Sequence, residues 1–340
     1  MLDSGLKEKV QPSPRAVLAR SRLTEEEVLM DVLREIWDFM STAILRGGMY
    51  SLMAVGLALV FGVMNIANFA HGEFYMLGAY FGYFILTATN KLGLPQFVPP
   101  ILCILGAGLG VAVVAGVIER TSFRALRKRS KGQWLMNTFL LTLGISVILQ
   151  NGARLVWGGK YRGVTRMWKG DALNSLLNFG LPPDRLVAFL IAVLCIGGFV
   201  LFLNKTSTGR AIRAVSQDEV GASLVGVNLG FIHTLVFSLS GLLAGIAGAS
   251  LLSVTPASAF MGTMPLYKSW FVLILVGMGS IGGSIVGGLI LGILEAFATT
   301  YLSQFLGSGS QDFICLAVII TILLIKPNGI FGKAVKSAVE

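Results

Sequence analysis

Asn65, Asn68, His71 and Glu73 fall within nine positions of one another, inside the stretch AVGLALVFGVMNIANFAHGEFYMLGAYFGYF at 54 to 84, with an apolar run on either side. The two carboxamides can hydrogen-bond between helices, the imidazole can donate and accept, and the carboxylate needs a partner. Such groups are costly in hydrocarbon, so a cluster of them between spanning-length runs implies a protein-lined polar path or a tight interhelical joint. The expectation is that the four residues flank a translocation path or a joint that moves during alternating access. For His71 a structural hydrogen-bonding role is expected ahead of direct contact with the solute.

Reaction chemistry is otherwise missing from the chain. It has no GxxxxGK[ST] loop, catalytic triad, paired carboxylates or HExxH, and its two histidines are His71 and His233. Cys103, Cys195 and Cys315 each lie in an apolar run without CxxC spacing, so they read as small core residues, and no metal site is indicated. The chain is therefore not expected to be an enzyme or to hold a cofactor. Active transport would draw on an ion gradient or on a separate subunit.

The elements that position these residues follow from composition. Hydrophobic residues make up 54%, charged residues 13%, and mean hydropathy is +0.77 over 340 residues. A soluble domain carries about 25% charged residues, and the apolar runs here repeatedly reach the roughly 20 residues that cross a bilayer. The expected fold is all-α, a polytopic membrane bundle. Apolar segments are drawn at 41 to 64, 67 to 89, 97 to 118, 135 to 157, 186 to 203, 231 to 252, 285 to 305 and 311 to 326. A further run, SWFVLILVGM at 269 to 278, is too short to cross alone and reads as a half-helix or re-entrant segment. The expected total is eight or nine crossings, with at least one short or broken helix.

The net charge of +10 comes largely from loops, which favours membrane orientation over nucleic-acid binding. Residues 119 to 132, 204 to 230 and the C-terminal tail hold twelve Lys or Arg, and the opposite side holds seven, Lys91, Lys160, Arg162, Arg166, Lys169, Arg185 and Lys268, before the N-terminal segment is counted. The first group of loops is assigned to the cytoplasm. Residues 1 to 40 are polar, with Thr24 and Glu27 at capping-box spacing ahead of Val28, Leu29, Val32, Leu33, Ile36 and Trp37. They read as an extramembrane amphipathic segment, interfacial or partner-contacting, leading into a transmembrane domain at 41 to 333 and a cytoplasmic tail at 334 to 340. No basic start followed by an apolar h-region marks a signal peptide.

Glycine recurs at helical spacing, notably Gly279, Gly283, Gly287, Gly288 and Gly292, with Gly241 and Gly245, Gly106 and Gly110, and Gly78 and Gly82 also four apart. Close helix packing is the expected use. Glu295 is expected to bond to a Ser, Thr or backbone group on a neighbouring helix. Arg46 and Arg154 lie near enough to segment ends to snorkel, Asp312 stands at the start of the last span, and His233 reads as interfacial.

Residues 206 to 233 place Arg210, Arg213, Asp218 and Glu219 among small and apolar residues, and Gly226, Asn228 and Gly230 supply stop signals. The stretch reads as a short cytoplasmic surface helix able to dock in a groove of a soluble motor domain, or as a plain amphipathic connector.

Six blocks then point to a family: NIANFAHGEFYMLGAY (65 to 80), IERTSFRALR (118 to 127), LTLGISVILQN (141 to 151), GRAIRAVSQDEVGASLVGVN (209 to 228), GMGSIGGSIVGGLILGILEA (277 to 296) and KPNGIFG (326 to 332). Together they resemble the permeases of branched-chain amino acid ABC transporters, and their order is similar to the shorter of that system's two permeases. The resemblance runs from about residue 44 to 333 and leaves residues 1 to 40 outside the pattern. It implies a cell inner membrane permease that pairs with a second related permease subunit, two cytoplasmic ABC ATPase subunits carrying ATP and magnesium, and an external substrate-binding protein. It also implies that 209 to 228 is the coupling helix, with Arg210, Arg213, Asp218, Glu219 and Gly226 as the positions to test, although the Glu-Ala-Ala triplet of such loops is not present. A urea or short-chain amide permease shares much of the pattern. From another class, a self-sufficient ion-coupled transporter or channel would use Asn68, Glu73 and the short 269 to 278 segment as a midplane ion site. A purely structural membrane subunit would leave the polar cluster without a role.

Overall fold

Apolar runs in lipid must satisfy their own backbone groups, and the computed structural model shows each run doing so as a helix. The structure describes residues 25–129, 134–168, 183–307 and 309–332. The expected Thr24 cap, the rest of residues 1 to 24, Lys169 and the tail at 334 to 340 lie outside the described residues.

Helix α1 (Glu25–Met64) is followed by α2 (His71–Asn90) and α3 (Val98–Ile118), which passes through a wide turn at Glu119–Phe123 into α4 (Arg124–Arg129). Next come α5 (Trp134–Trp157), α6 (Pro183–Lys205), the short α7 (Ser207–Gln217) and α8 (Glu219–Leu224), and α9 (Leu229–Ser250). The chain ends with α10 (Thr263–Val276), α11 (Ile281–Phe297), α12 (Ser303–Leu306) and α13 (Ser310–Ile325). Among the described residues six helices are long and apolar enough to cross a membrane. With α2, which is 20 residues long and largely buried, and the shorter α10 and α13, they make nine helices at the positions of the nine apolar runs.

The ends follow local chemistry. Thr206, Asp218, Asn228 and Ser280 each accept a backbone N–H three residues on, capping α7, α8, α9 and α11. Asp218 thereby splits the stretch expected to be one surface helix into two, because its extended backbone (φ −152°, ψ 104°) interrupts the helical run. Gly226 stops α8 at φ +89°, as its position implied.

The expected extramembrane helix and the first span are one element. At 40 residues, α1 is about 60 Å long against a hydrocarbon core of about 30 Å. Its C-terminal end lies beside the start of α11, where Gly62 faces Gly279, and Ala43 and Gly47 face Gly292 near the other end of α11. The exposed residues Leu29, Met30, Val32, Leu33, Ile36 and Trp37 therefore extend from the end of the bundle opposite α7 and α8. We call the end carrying α7 and α8 inner and the other outer.

The glycines do pack helices. A methyl group on Gly292 would stand 2.5 Å from the Ala43 carbonyl, one on Gly288 would strike Ser51, and one on Gly287 would strike Val276. Gly279 lies where α1 and the α10–α11 turn meet, at φ +85°, while Gly283 abuts its own cap, Ser280. On the other side of the core, Gly78 touches Gly245, and Gly241 touches Ala115 and Val111, which draws α2, α3 and α9 together. The three cysteines are free and at least partly buried.

Candidate functional site

The break between α1 and α2 is the first feature to build. After Met64 the chain leaves the helix at Asn65, whose backbone takes the left-handed conformation (φ 51°) that Asn tolerates better than most residues. Ile66, Asn68 and Ala70 are then fully buried although not helical. Phe69 stacks on Trp270 of α10 at 5.2 Å and meets Phe139 of α5 edge-on. Thr142 of α5 donates to the Ala67 carbonyl at 3.1 Å, so protein rather than lipid satisfies this irregular backbone.

The four polar residues of this region do not share one site. Asn65 is exposed at the inner end. Asn68 accepts from the Ala70 amide at 3.0 Å, so it shapes the start of α2. His71 bridges two helices, one ring nitrogen 3.0 Å from the Met53 carbonyl of α1 and the other 3.2 Å from Ser240 Oγ of α9. Glu73 accepts from Ser146 of α5 at 3.0 Å. Each residue therefore faces a different neighbour. The side-chain amide of Asn68 and the second oxygen of Glu73 are buried without a partner among the described residues. At membrane depth such groups mark a place where solvent, solute or a rearranged helix supplies the missing bond.

The inner end ties the surface helices to the bundle. Glu219, the first residue of α8, lies 3.5 Å from the imidazole of His233 in α9. His233 is buried, not interfacial as expected, because α4, α5 and α8 cover the start of α9. Beside it Glu119 accepts from Thr234 at 2.5 Å and from Arg127 at 3.1 Å, and Arg127 lies over the Trp134 ring. Arg213 bonds to Asn204 at 2.7 Å, holding α7 to the end of α6. Arg210 and Gly226 complete the surface. They lie on α7 and at the end of α8.

The outer half holds a charge cluster that the sequence reading dispersed. Glu295 accepts from Arg46 at 3.1 Å and from the Tyr50 hydroxyl at 2.5 Å, and Lys268 Nζ lies 3.3 Å from it. Lys268 also donates to Asp312. Four charges from α1, α10, α11 and α13 thus meet, and Glu295 and Lys268 are 5% and 6% exposed. Arg46 does not snorkel, Glu295 does not settle for a hydroxyl or backbone partner alone, and Lys268 is not a loop charge. Position in the helix explains why, since Lys268 is the sixth residue of the 14-residue α10 and lies inside it rather than in the loop before it. A lysine inside an apolar helix was the available signal. Arg154 is placed over the Phe260 ring at 5.3 Å.

Beside this cluster is a cavity of about 480 Å³, rimmed by Tyr161 and the loop after α9 and floored by Tyr50, Tyr75, Lys268, Glu295 and Asp312. A second, of about 220 Å³, is lined by Arg46, Arg185 and Thr42 and shares Tyr50, Leu251 and Thr255 with the first. The rim is fixed where Arg162 and Ala257 exchange backbone hydrogen bonds of 3.0 and 2.8 Å.

Residues 39–323 match the family described as branched-chain amino acid transport system / permease component. A similar protein is the high-affinity branched-chain amino acid transport system permease protein LivH of Salmonella typhimurium, 30% identical over 305 residues covering 86% of this chain and 94% of that one. BraD of Pseudomonas aeruginosa, a permease protein of the same description, is 29% identical and covers 84% and 92%. The L-arabinose transport system permease protein AraH of Escherichia coli is 29% identical over 252 residues, covering 70% and 74%.

Proposed function

We propose a function from one premise: the chain belongs to the branched-chain amino acid transport system permease component family. It is a multi-pass inner-membrane protein and a permease component. Our reading is that it carries branched-chain or related hydrophobic amino acids inward by alternating access. ATP hydrolysis, with magnesium, takes place on two cytoplasmic ATPase subunits, and an external binding protein delivers the solute to this chain and a second permease.

The observation that carries this reading is the α7–α8 pair at the inner end. These helices present Arg210, Asp218 and Glu219 to the exterior, and Glu219 lies 3.5 Å from His233 of α9. Seven residues further along α9, Ser240 holds His71 at the start of α2. A push on α8 therefore bears on α9 and, through Ser240 and His71, on the start of α2 beside the irregular 65–70 segment. That supports α7–α8 as the surface gripped by an ATPase, and Asn68, His71 and Glu73 as part of the joint that moves.

The test is to purify the tagged chain with whatever accompanies it, reconstitute it in liposomes and measure solute uptake. The expected outcome is co-purification of ATPases and a second permease, with uptake requiring ATP and a leucine-loaded binding protein. Uptake by the lone chain without ATP would replace this reading with a self-sufficient transporter.

A further inference from the structure

We propose that the uncovered face of α5 is the surface through which this chain pairs with the second permease, helix against corresponding helix. The inference rests on the importer reading and adds to it the face by which the two permeases meet.

Of the six spanning helices, α5 is the least covered by the rest of the chain. Its buried stripe is narrow, Thr138, Thr142, Ile145 and Ala153. It is held there by Thr142 on the Ala67 carbonyl, by Ser146 on Glu73 and by the stacking of Trp157 on Tyr80. With a turn of about 100° per residue, the opposite side of the helix carries Leu140, Gly144, Val147 and Asn151, all of them exposed. Their spacing of 4, 3 and 4 is that of the seam in a left-handed helix pair.

Lipid accounts for Leu140 and Val147 but not for Asn151. Trp134 and Trp157 stand at the two ends of α5, where aromatic side chains mark the bilayer interfaces. The helix is 24 residues long, about 36 Å, so Asn151 lies about 9 Å short of Trp157 and within the hydrocarbon core of about 30 Å. Asn151 donates one amide hydrogen to the Val147 carbonyl of its own helix at 2.9 Å, and its other amide hydrogen and its oxygen have no partner among the described residues. Acyl chains offer none, so a polar group on another chain supplies it. A methyl group on Gly144 would meet nothing within 4 Å, which leaves a notch for a neighbouring backbone. Depth then selects the partner. A cytoplasmic ATPase and an external binding protein do not reach hydrocarbon, and the second permease is the remaining chain of the importer. Related chains pair across a two-fold axis through the same element on each. Both permeases cross the membrane the same way round, so residues of equal depth meet, and Asn151 faces a hydrogen-bonding side chain on the partner's counterpart of α5.

The experiment uses the complete importer in lipid nanodiscs, with the photo-cross-linking residue p-benzoylphenylalanine placed at Leu140 or Val147 of α5, or at Leu194, an exposed residue of α6. Cross-linked peptides are identified by mass spectrometry. The expected outcome is a cross-link from Leu140 and Val147 to a spanning helix of the second permease, related chain or second copy, at least tenfold above that from Leu194. Asn151→Leu and Gly144→Leu should each cut recovery of the second permease with the tagged chain at least threefold. Asn151→Gln, which keeps the carboxamide, should restore at least half of it, and Leu194→Ala should leave it unchanged.

Adducts with lipid alone, cross-links to an ATPase or binding protein, equal yield from Leu194, or undiminished pairing in Asn151→Leu would overturn the proposal. If a leucine variant fails to insert, the cross-linking sites still decide, because they leave Asn151 and Gly144 in place. A second permease that accompanies the chain while Leu140 and Val147 stay silent would sink this inference alone. Absence of any second permease from the unaltered complex, with uptake that needs no ATP, would sink the importer reading and this inference with it.

Discussion

The outer and inner ends of the bundle both carry interlocked charges, but they are built differently. At the outer end Glu295 and Lys268 are nearly inaccessible, and their partners come from helices separated by up to 249 positions in sequence. At the inner end the buried Glu119 is held in the same way by Arg127 and Thr234, whereas Glu219 is 50% exposed and meets a buried imidazole at 3.5 Å, a looser contact made by a six-residue helix. Buried, multiply bonded charges hold one arrangement, because losing a partner leaves an uncompensated charge. Half-exposed pairs contribute little and can be exchanged at small cost. The outer cluster therefore holds helices in register, whereas the Glu219 contact of α8 can be exchanged at small cost.

Removing the carboxylate that α1, α10 and α11 share tests that contrast most severely. Glu295→Ala leaves Arg46 without its ion pair and Lys268 with Asp312 alone. We expect a loss of about 3–5 kcal/mol, read as a large drop in thermal unfolding temperature in detergent. An unchanged unfolding temperature would mean that the outer charges are as dispensable as the inner ones.

The glycine seam beneath the cluster gives the next largest effect. Gly292→Ala places a methyl group 2.5 Å from the Ala43 carbonyl, and backbone cannot step aside as a side-chain tip can. Overpacking of this kind costs about 1–3 kcal/mol. Gly282→Ala on the same helix, where a methyl group meets nothing within 4 Å, serves as the control. Equal melting of the two variants would show that α11 does not lean on α1 through this glycine.

The inner pair should behave in the opposite sense, with little change in stability and a larger change in coupling. His233→Ala is expected to cost about 1 kcal/mol or less from the lost contact with Glu219, with a further packing loss that His233→Gln would largely spare. In reconstituted importer, Glu219→Gln should retain ATP turnover within twofold and lose uptake at least fivefold. Parallel loss of both activities would mean that α8 serves only to assemble the complex.

These two ends were not equally legible in the sequence. All nine apolar runs emerged as helices because hydropathy and length act locally, and Gly78, Gly288 and Gly292 of the spaced glycines lie where backbones approach, whereas Gly106 and Gly110 meet side chains. The inner helices could be placed because capping residues and Gly226 also act locally, although Asp218 divides a stretch that looked continuous. The outer cluster escaped because its logic is pairwise over long separations. Arg46, Lys268, Glu295 and Asp312 each have an innocuous explanation alone, and nothing in their spacing says that four helices bring them together. The polar run at 65 to 73 reads as one group in the sequence, whereas Asn65 is exposed, Asn68 bonds to the Ala70 amide, His71 reaches α1 and α9, and Glu73 reaches α5.

Asn65 is the smallest and sharpest test of that last point. It stands in sequence with the polar cluster, yet its side chain is exposed and its backbone, at φ 51°, is what ends α1. If its role is conformational, glycine should replace it with a change within about 0.5 kcal/mol, because glycine adopts this conformation without strain. Alanine should cost about 1 kcal/mol, because it lacks the short polar side chain that lets Asn favour the left-handed conformation. Uptake in Asn65→Gly should stay within twofold of the unaltered protein, in contrast to Glu219→Gln at the same end of the bundle. If glycine instead abolished uptake with unchanged melting, the carboxamide itself would be at work, and Asn65 would return to the moving joint with Asn68 and His71.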